Sequence, residues 1–166
     1  MQKAYKPELI VSKDKSRYVL NYSYLQGEYL YATDGRKMIK IKVQLDEGDT
    51  DGFIPSLAYA LGRKTTKESE IQLNCNGSVQ VKSPDGLVSI SRDVQGQFPI
   101  CEQVIPKEKP IWRIAISAAL LKNLSDSMGT DGVILDVIAK NKAILVSPIN
   151  KDPNVMGLLM PMSIPD

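Results

Sequence analysis

The acidic segment from Asp46 to Asp51 is the densest cluster of side chains that could do chemistry, with four carboxylates in six residues. Carboxylate oxygens are the ligands that Ca²⁺ prefers, so a calcium-binding loop is one interpretation. The segment lacks the closing glutamate at the spacing of a helix–loop–helix calcium site, and no helical pattern flanks it. We therefore predict that no metal binds here.

Groups that could catalyse a reaction are sparse. The chain has no histidine, which removes the commonest general base near neutral pH and the commonest transition-metal ligand. Ser23, Ser117 and Ser125 stand in no nucleophile-elbow pattern, and neither a phosphate-binding glycine loop nor a catalytic carboxylate pair can be identified. We expect a non-catalytic protein without a cofactor, with an unrelated hydrolase as the remaining enzymatic alternative.

Length, apolar content and cysteine usage indicate a cytoplasmic globular protein. The 166 residues, 43% of them hydrophobic, suffice for one compact domain or two very small ones. No apolar stretch approaches the roughly 20 residues of a bilayer span, and the first residues lack the apolar core of a signal peptide. Cys75 and Cys101 are too few for a disulfide scaffold, so we predict buried free thiols.

The first third of the chain has the pattern of strands joined by tight turns. Tyrosine and β-branched residues dominate between Glu8 and Val43, interrupted at Gln26-Gly27 and Asp34-Gly35. We predict a strand over residues 17–25 that continues after the turn as a hairpin or meander. A short strand at 53–55 follows, and Ser56 then caps a brief helix that ends near Gly62 to Lys64.

An internal repeat follows from the remaining elements. The order strand, helix, strand, strand, strand occurs twice, and the segment before Asp46 supplies the three trailing strands of a clipped unit. The further predicted strands are 70–75, 78–82, 87–92, 112–116, 132–139, 142–147 and 155–161, with a helix over 118–128 capped by Ser117. We predict an α+β fold of repeated β-α-β-β-β units with antiparallel sheets and two short helices.

Several strings match one family in the same order along the chain. They are RYVLN at 17–21, ATDGRKM at 32–38, QFP at 97–99 with VIPK at 104–107, and MPM at 160–162 preceded by two leucines. In these the chain resembles the bacterial β sliding clamp, which is the β subunit of DNA polymerase III and the processivity ring of the replicative polymerase. The resemblance implies a DNA-clamp-like fold in which residues 1–109 correspond to the middle domain without its opening helix. Residues 110–166 correspond to the last half of the third domain, and both regions are expected to pack as one compact body.

In this family, replication partners such as the polymerase insert a short apolar peptide into a groove between the middle and last domains. The matching positions are Leu20, Thr33, Gly35, Arg36, Lys37, Met38, Pro99, Val104, Leu158, Met160 and Met162. Aliphatic walls and flexible thioethers suit such a peptide. The alternative is that Leu20, Val104, Leu158 and Met160 are ordinary core residues and that Thr33 and Gly35 only shape a turn. The resemblance leads us to expect a variable residue followed by arginine where this chain has Arg36 and Lys37, so side-chain hydrogen bonding to a peptide could differ.

Clamps also contact DNA phosphates, without reading sequence, through basic residues on the helices that line the ring. The candidates here are Arg63, Lys64, Lys67 and Lys122. A formal net charge of +2 is too small for binding by overall charge, so any contact with double-stranded DNA needs a local patch. The alternative is that these cations are solvated helix ends, favoured there by the helix dipole.

Two functions follow from the resemblance. The first is a sliding-clamp-like processivity or scaffold protein that acts in DNA replication and assembles as a homo-oligomer around DNA, because about three units cannot close a ring alone. The alternative is a stand-alone peptide-binding adaptor, or a competitor of clamp partners, that does not encircle DNA. The mass in solution distinguishes the two.

Overall fold

The fold divides into two compact units, Met1–Ile105 and Pro106–Asp166, called here unit 1 and unit 2. A computed structural model describes residues 5–64, 70–74, 77–83, 86–91 and 94–164. The division lies four residues before the sequence-based boundary between 109 and 110. The assignment of these regions to particular clamp domains stays a prediction.

Unit 1 begins with a four-stranded antiparallel sheet. Its strands are β1 (Tyr22–Gln26), β2 (Tyr29–Thr33), β3 (Met38–Lys42) and β4 (Gly52–Pro55), in the order β3-β2-β1-β4. The β1–β2 connection is tight because Gly27 adopts a positive φ of 52°, which glycine tolerates best. The predicted meander is therefore present.

The predicted strand over 17–25 is wrong in its first half. Residues Lys15–Asn21 form a 3₁₀ helix with a kink at Arg17, and the extended conformation begins only at Tyr22. The physical reason is local capping, because the Asp14 carboxylate accepts hydrogen bonds from the backbone N–H and the hydroxyl of Ser16. Such side-chain bonds offer the backbone an alternative to pairing in a sheet.

A helix and a second sheet complete the repeat in unit 1. Helix α1 spans Ser56–Lys64, and the strands β5 (Glu70–Asn74), β6 (Ser78–Ser83) and β7 (Gly86–Ser91) form an antiparallel meander in chain order. Each strand bound lies within one residue of the prediction. The helix packs on this sheet through Gly62, where an added Cβ would lie 3.6 Å from the Ile71 side chain.

Two buried clusters hold unit 1 together. The first joins both sheets and the helix through Leu25, Leu30, Ile41, Ile54, Ala58, Tyr59, Val79 and Val81. The second contains Tyr31, Phe53, Phe98 and Cys101, with the Phe98 ring stacked on Tyr24 at 5.2 Å between centroids. This aromatic packing attaches the segment after β7 to the first sheet. That segment ends in a 3₁₀ helix, Cys101–Val104.

Unit 2 has the order helix, strand, strand, strand. Ser117 caps α2 (Ala118–Ser127), and β8 (Val133–Asp136), β9 (Ile144–Pro148) and β10 (Gly157–Leu159) form an antiparallel sheet in the order β10-β9-β8. The Ser117 hydroxyl accepts a hydrogen bond from the Leu120 backbone N–H, which confirms the predicted cap. Buried Ile144, Val146 and Leu159 form its core.

The predicted strand over 112–116 is wrong as a regular strand. Only Ala115 pairs, as an isolated bridge in which the Met162 N–H donates to the Ala115 carbonyl at 2.8 Å. Ile114 and Ile116 still pack against the core of unit 2 and so fix the entry into α2. One backbone pair is too little to define a strand.

The predicted α+β class with antiparallel sheets is confirmed. Two α-helices and three 3₁₀ helices occur among the residues that the structure describes. Within that same part of the chain, no helix is both long enough and apolar enough to cross a membrane.

Candidate functional site

The turn between β2 and β3 is held by a dense set of hydrogen bonds. Thr33 Oγ1 accepts from the Gly35 N–H at 3.0 Å and donates to the Lys37 carbonyl at 2.8 Å. The Asp34 carboxylate accepts from the N–H groups of Arg36 and Lys37, both at 2.9 Å. These hydrogen bonds, foremost the one from Arg36, hold the pKa of Asp34 below its usual value. These hydrogen bonds hold the backbone of residues 33–37 in one conformation, and we call this segment the 33–37 turn.

Arg17 lies against this turn. Its Nη1 donates to the Asp34 carbonyl at 3.2 Å, and its Nε lies 4.0 Å from the Asp14 carboxylate. Gly35 adopts a positive φ of 87°, so both backbone conformation and the nearby guanidinium favour glycine at this position. The 3₁₀ helix and the 33–37 turn are therefore joined by one arginine.

A pocket of about 350 Å³ opens beside Arg17. It is lined by Ser16, Arg17, Tyr18, Val19, Leu20, Gln97 and Pro99. Mostly apolar walls with a few polar groups at the edge suit an apolar side chain of a ligand. We call this the apolar pocket.

The close contact of two segments shapes the apolar pocket. An added Cβ on Gly96 would lie 3.0 Å from Val19 Cγ2 and 3.1 Å from the Tyr18 hydroxyl, and Gly96 has a positive φ of 127°. A glycine here lets residues 97–99 approach the 3₁₀ helix. Leu20 and Pro99, two predicted groove residues, thereby line one pocket.

The other predicted groove residues of unit 1 fall into two groups. Thr33, Gly35, Arg36 and Lys37 all belong to the 33–37 turn, where Thr33 is buried and the other three are exposed. Met38 is half-buried and packs against the second core cluster, as Leu20 also does. Leu20 is thus both a core residue and a pocket residue.

Val104 is 70% exposed at the end of the 3₁₀ helix Cys101–Val104, so its alternative interpretation as a core residue is wrong. This helix is tied to the first sheet by Glu102, whose carboxylate accepts hydrogen bonds from the Tyr31 hydroxyl and the Lys40 ammonium. The hydrogen bond with Glu102 raises the pKa of Lys40. Burial raises the pKa of the Cys101 thiol, which is free as predicted; Cys75 lies outside the described residues.

In unit 2, the three predicted groove residues form an exposed apolar row. Leu158, Met160 and Met162 stand two residues apart, and each is more than half exposed, whereas Leu159 between them is buried. Side chains two apart in extended chain share a face. The interpretation of Leu158 and Met160 as core residues is therefore wrong.

Two of the four predicted DNA-contacting residues form ion pairs, and the structure does not describe the side chains of the other two. The Arg63 guanidinium forms an ion pair with Glu8 and donates to the Tyr5 carbonyl at 3.1 Å. Lys122 pairs with Asp126 at 2.7 Å, one helical turn away. Lys64 ends α1 but its side chain is not described, and Lys67 lies outside the described residues. Contact with DNA stays a prediction.

Two carboxylates of the acidic segment accept hydrogen bonds within the fold. Asp49 accepts a hydrogen bond from the Asp46 N–H at 3.0 Å, and Asp51 accepts one from the Gly27 N–H at 2.8 Å. The second bond attaches this loop to the β1–β2 turn. A structural role therefore accounts for these two acidic residues.

Sequence reasoning missed most of the apolar pocket. The sequence predicts only Leu20 and Pro99, whereas the pocket is also lined by Ser16, Arg17, Tyr18, Val19 and Gln97. A signal was present, because Arg17, Tyr18 and Val19 belong to the same matching string as Leu20. Gln97 likewise belongs to the same matching string as Pro99.

The fold is similar to that of bacterial DNA polymerase III β subunits. The β subunit from Streptococcus pyogenes DNA polymerase matches with a TM-score of 0.71 and 17% identity, over 97% of this chain and 48% of that chain. A sliding clamp from Pseudomonas aeruginosa matches with a TM-score of 0.54 and 17% identity, over 99% of this chain and 66% of that one. Another from this organism, described as bound to griselimycin, matches with a TM-score of 0.57 and 17% identity, over 95% and 61%.

No protein-family model matches the chain, and no curated protein sequence matches it either. The chain nevertheless has the sliding-clamp fold, which confirms the resemblance seen in the sequence. It spans about half to two thirds of the length of these clamps.

Proposed function

We propose that this protein is a non-catalytic, sliding-clamp-like scaffold that binds replication partners through a short apolar peptide segment. The observation that carries the proposal is the meeting of Leu20 and Pro99 in the apolar pocket, beside the 33–37 turn. Both residues are groove positions that the sequence predicts, and they lie in segments far apart along the chain. The clamp fold supports the same function.

The chemistry of the site fits a peptide ligand. An apolar side chain would enter between Tyr18, Leu20 and Pro99, and its burial would supply the main favourable free energy. In unit 1, exposed Val104 offers further apolar area. Unit 2 by itself presents the exposed apolar row Leu158, Met160 and Met162, whose thioethers adapt to varied partners. The P. aeruginosa clamp described as bound to griselimycin supports ligand binding by this fold.

Fluorescence anisotropy with a labelled apolar clamp-binding peptide tests this proposal. Val104→Asp and Met160→Asp place a charge at side chains that are 70% and 63% exposed, so the fold should tolerate both changes. We expect each variant to weaken binding at least about tenfold, because the carboxylate loses water on contact with an apolar ligand.

Leu87→Asp is the matched control, since Leu87 is 57% exposed on β7 and belongs to neither the pocket nor the predicted groove. Its affinity should equal that of the unchanged protein. Binding that is unaffected by both Val104→Asp and Met160→Asp would remove the groove from consideration.

We further propose that the chain works in the cytoplasm as a homo-oligomer that contacts double-stranded DNA. The clamp fold supports this proposal, because closed rings are commonly built from several copies of one chain. Arg63, Lys64, Lys67 and Lys122 remain the candidate contacts with phosphates.

A second candidate function is an adaptor or competitor that binds clamp partners without encircling DNA. It is favoured by the ion pairs of Arg63 with Glu8 and of Lys122 with Asp126, which engage two of the four candidate cations. Sedimentation equilibrium decides between the two functions. An oligomer that binds DNA supports the clamp, whereas a strict monomer at high concentration supports the adaptor.

A further inference from the structure

A second cavity, of about 480 Å³, shares Arg17 with the apolar pocket. Its charged lining residues are Lys13, Asp14, Arg17, Asp34, Arg36 and Lys37. Four cations thus face two carboxylates, so the lining carries a formal charge of +2. We call this the basic pocket.

Both carboxylates of the basic pocket are already engaged. Asp14 accepts from the N–H and the hydroxyl of Ser16, and Asp34 accepts from the Arg36 and Lys37 N–H groups. Their remaining oxygens lie 4.0 Å from Arg17 Nε and 3.7 Å from Lys37 Nζ. Hydrogen bonds hold the pKa of each carboxyl below its usual value, so both are anionic at neutral pH.

Two cations of the basic pocket remain unneutralised. The side chains of Lys13 and Arg36 form no hydrogen bond or ion pair in the part of the chain that the structure describes. The pocket also has apolar wall from Leu9 and Val11, which lowers the local dielectric around a bound charge. An anion placed here would meet one arginine and one lysine that line the cavity and have no other charged partner among the described residues.

We propose that the basic pocket binds an acidic side chain, aspartate or glutamate, of the same peptide whose apolar residue occupies the apolar pocket. This inference rests on the proposed function. The observation that supports it is the position of Arg17, which lines both cavities and is held by its hydrogen bond to the Asp34 carbonyl. A ligand that passes over Arg17 reaches both pockets, which makes the partner an apolar segment with an adjacent acidic residue.

Arg36 is the main specificity residue in this arrangement. A guanidinium binds a carboxylate through two parallel hydrogen bonds, whereas the Lys13 ammonium adds a point charge. A phosphate of duplex DNA is a competing occupant. It is the less favoured one because the basic pocket shares Arg17 with an apolar pocket, which a phosphate backbone would leave empty.

A pair of labelled peptides tests the inference by anisotropy. Both carry the same apolar anchor, and they differ only in a neighbouring glutamate or glutamine. We expect the glutamate peptide to bind about tenfold more tightly, as one charge-assisted hydrogen bond allows. In the Lys13→Gln/Arg36→Gln protein this preference should vanish, so that the two peptides bind with equal affinity. Lys82→Gln, an exposed cation on β6, is the control and should keep the preference.

A ligand without an apolar anchor separates this inference from the proposed function. Acetyl-Glu-Glu-amide should shift the backbone amide resonances of Lys13 and Arg36, and acetyl-Gln-Gln-amide should not. Shifts together with failure of both anchored peptides would support the basic pocket and refute the apolar groove. Equal affinity of the two anchored peptides for the unchanged protein would overturn the basic pocket and leave the groove intact. Shifts caused by a DNA duplex but not by the acidic dipeptide would also overturn it.

Discussion

Nη1 of Arg17 lies 2.9 Å from the position that a Cβ on Gly35 would take. This distance is shorter than real Cβ contacts allow, so any side chain at position 35 must displace the guanidinium. Arg17 in turn forms part of the wall of both pockets. Gly35 is therefore coupled to both pockets through Arg17, although Gly35 itself contributes only backbone atoms.

Gly35→Ala should lower stability and also weaken peptide binding. The backbone strain at φ 87° costs about 1–2 kcal/mol in the free energy of unfolding, and the displaced Arg17 deforms both pockets. Gly27→Ala is the control, because it has a positive φ of 52° but no atom within 4 Å of an added Cβ. Urea unfolding and anisotropy should show similar destabilisation in both variants and weakened binding only for Gly35→Ala. Equal binding losses would refute the coupling.

The buried pair Ser23 and Tyr59 predicts an asymmetric pair of variants. The Ser23 hydroxyl donates to the Ile54 carbonyl at 3.3 Å and accepts from the Tyr59 hydroxyl, and burial raises the pKa of Tyr59. Ser23→Ala leaves the Tyr59 hydroxyl without a partner and should cost about 1–3 kcal/mol. Tyr59→Phe leaves Ser23 bonded to Ile54 and should cost only about 0.5–1.5 kcal/mol. Urea unfolding followed by circular dichroism measures both, and the reverse order would contradict this hydrogen-bond assignment.

Ser117→Ala should destabilise unit 2 by about 1 kcal/mol, because the Leu120 N–H loses its acceptor at the start of α2. Trp112, the single tryptophan, lies in unit 2 and reports its unfolding by fluorescence. Ser127→Ala is the control, since the exposed Ser127 hydroxyl donates to a carbonyl one turn earlier in the same helix. Its effect should stay within about 0.5 kcal/mol. A control as damaging as the cap variant would rule out the cap as the cause.

The backbone of the 33–37 turn should change when the pH falls below 3.8, the usual pKa of an aspartate carboxyl. The folded-state pKa of Asp34 is lower than its usual value of 3.8, so its stabilising effect is fully present above pH 3.8. That effect is lost as the pH falls through the lower, folded-state pKa. Amide resonances of Arg36 and Lys37 should follow this transition in NMR spectra, and Asp34→Asn should abolish it. A midpoint above 3.8 would show that the two N–H bonds do not favour the anion.

Strands that depend on local turn chemistry were predictable from the sequence. The bounds of β5, β6 and β7 were predicted within one residue, and Gly27 marked the first turn correctly. The segments 15–21 and 112–116 were not, for opposite reasons. In the first, Asp14 caps a 3₁₀ helix that a strand pattern hides. In the second, pairing depends on Met162, far along the chain.

The candidate site was predictable only where matching strings occurred. Leu20, Pro99 and the 33–37 turn came from that resemblance, and the structure shows the turn joined to the pocket by Arg17. Most of the remaining pocket residues lie in the same strings, but the sequence does not show that residues 16–20 and 97–99 share one pocket, or that Lys13 and Arg36 share another, because these segments are far apart in sequence. Periodicity carries no information about the approach of such segments.

The packing of Phe98 and Cys101 against the first sheet has a consequence for how the chain is made. Until these residues leave the ribosome, Tyr24, Tyr31 and Phe53 lack the aromatic cover that buries them in the finished unit. The nascent first sheet therefore exposes an aromatic face while the intervening helix and second sheet are being synthesised. The risk of aggregation falls once the last ten residues of unit 1 have been synthesised. A chain truncated before Phe98 would expose this aromatic face permanently.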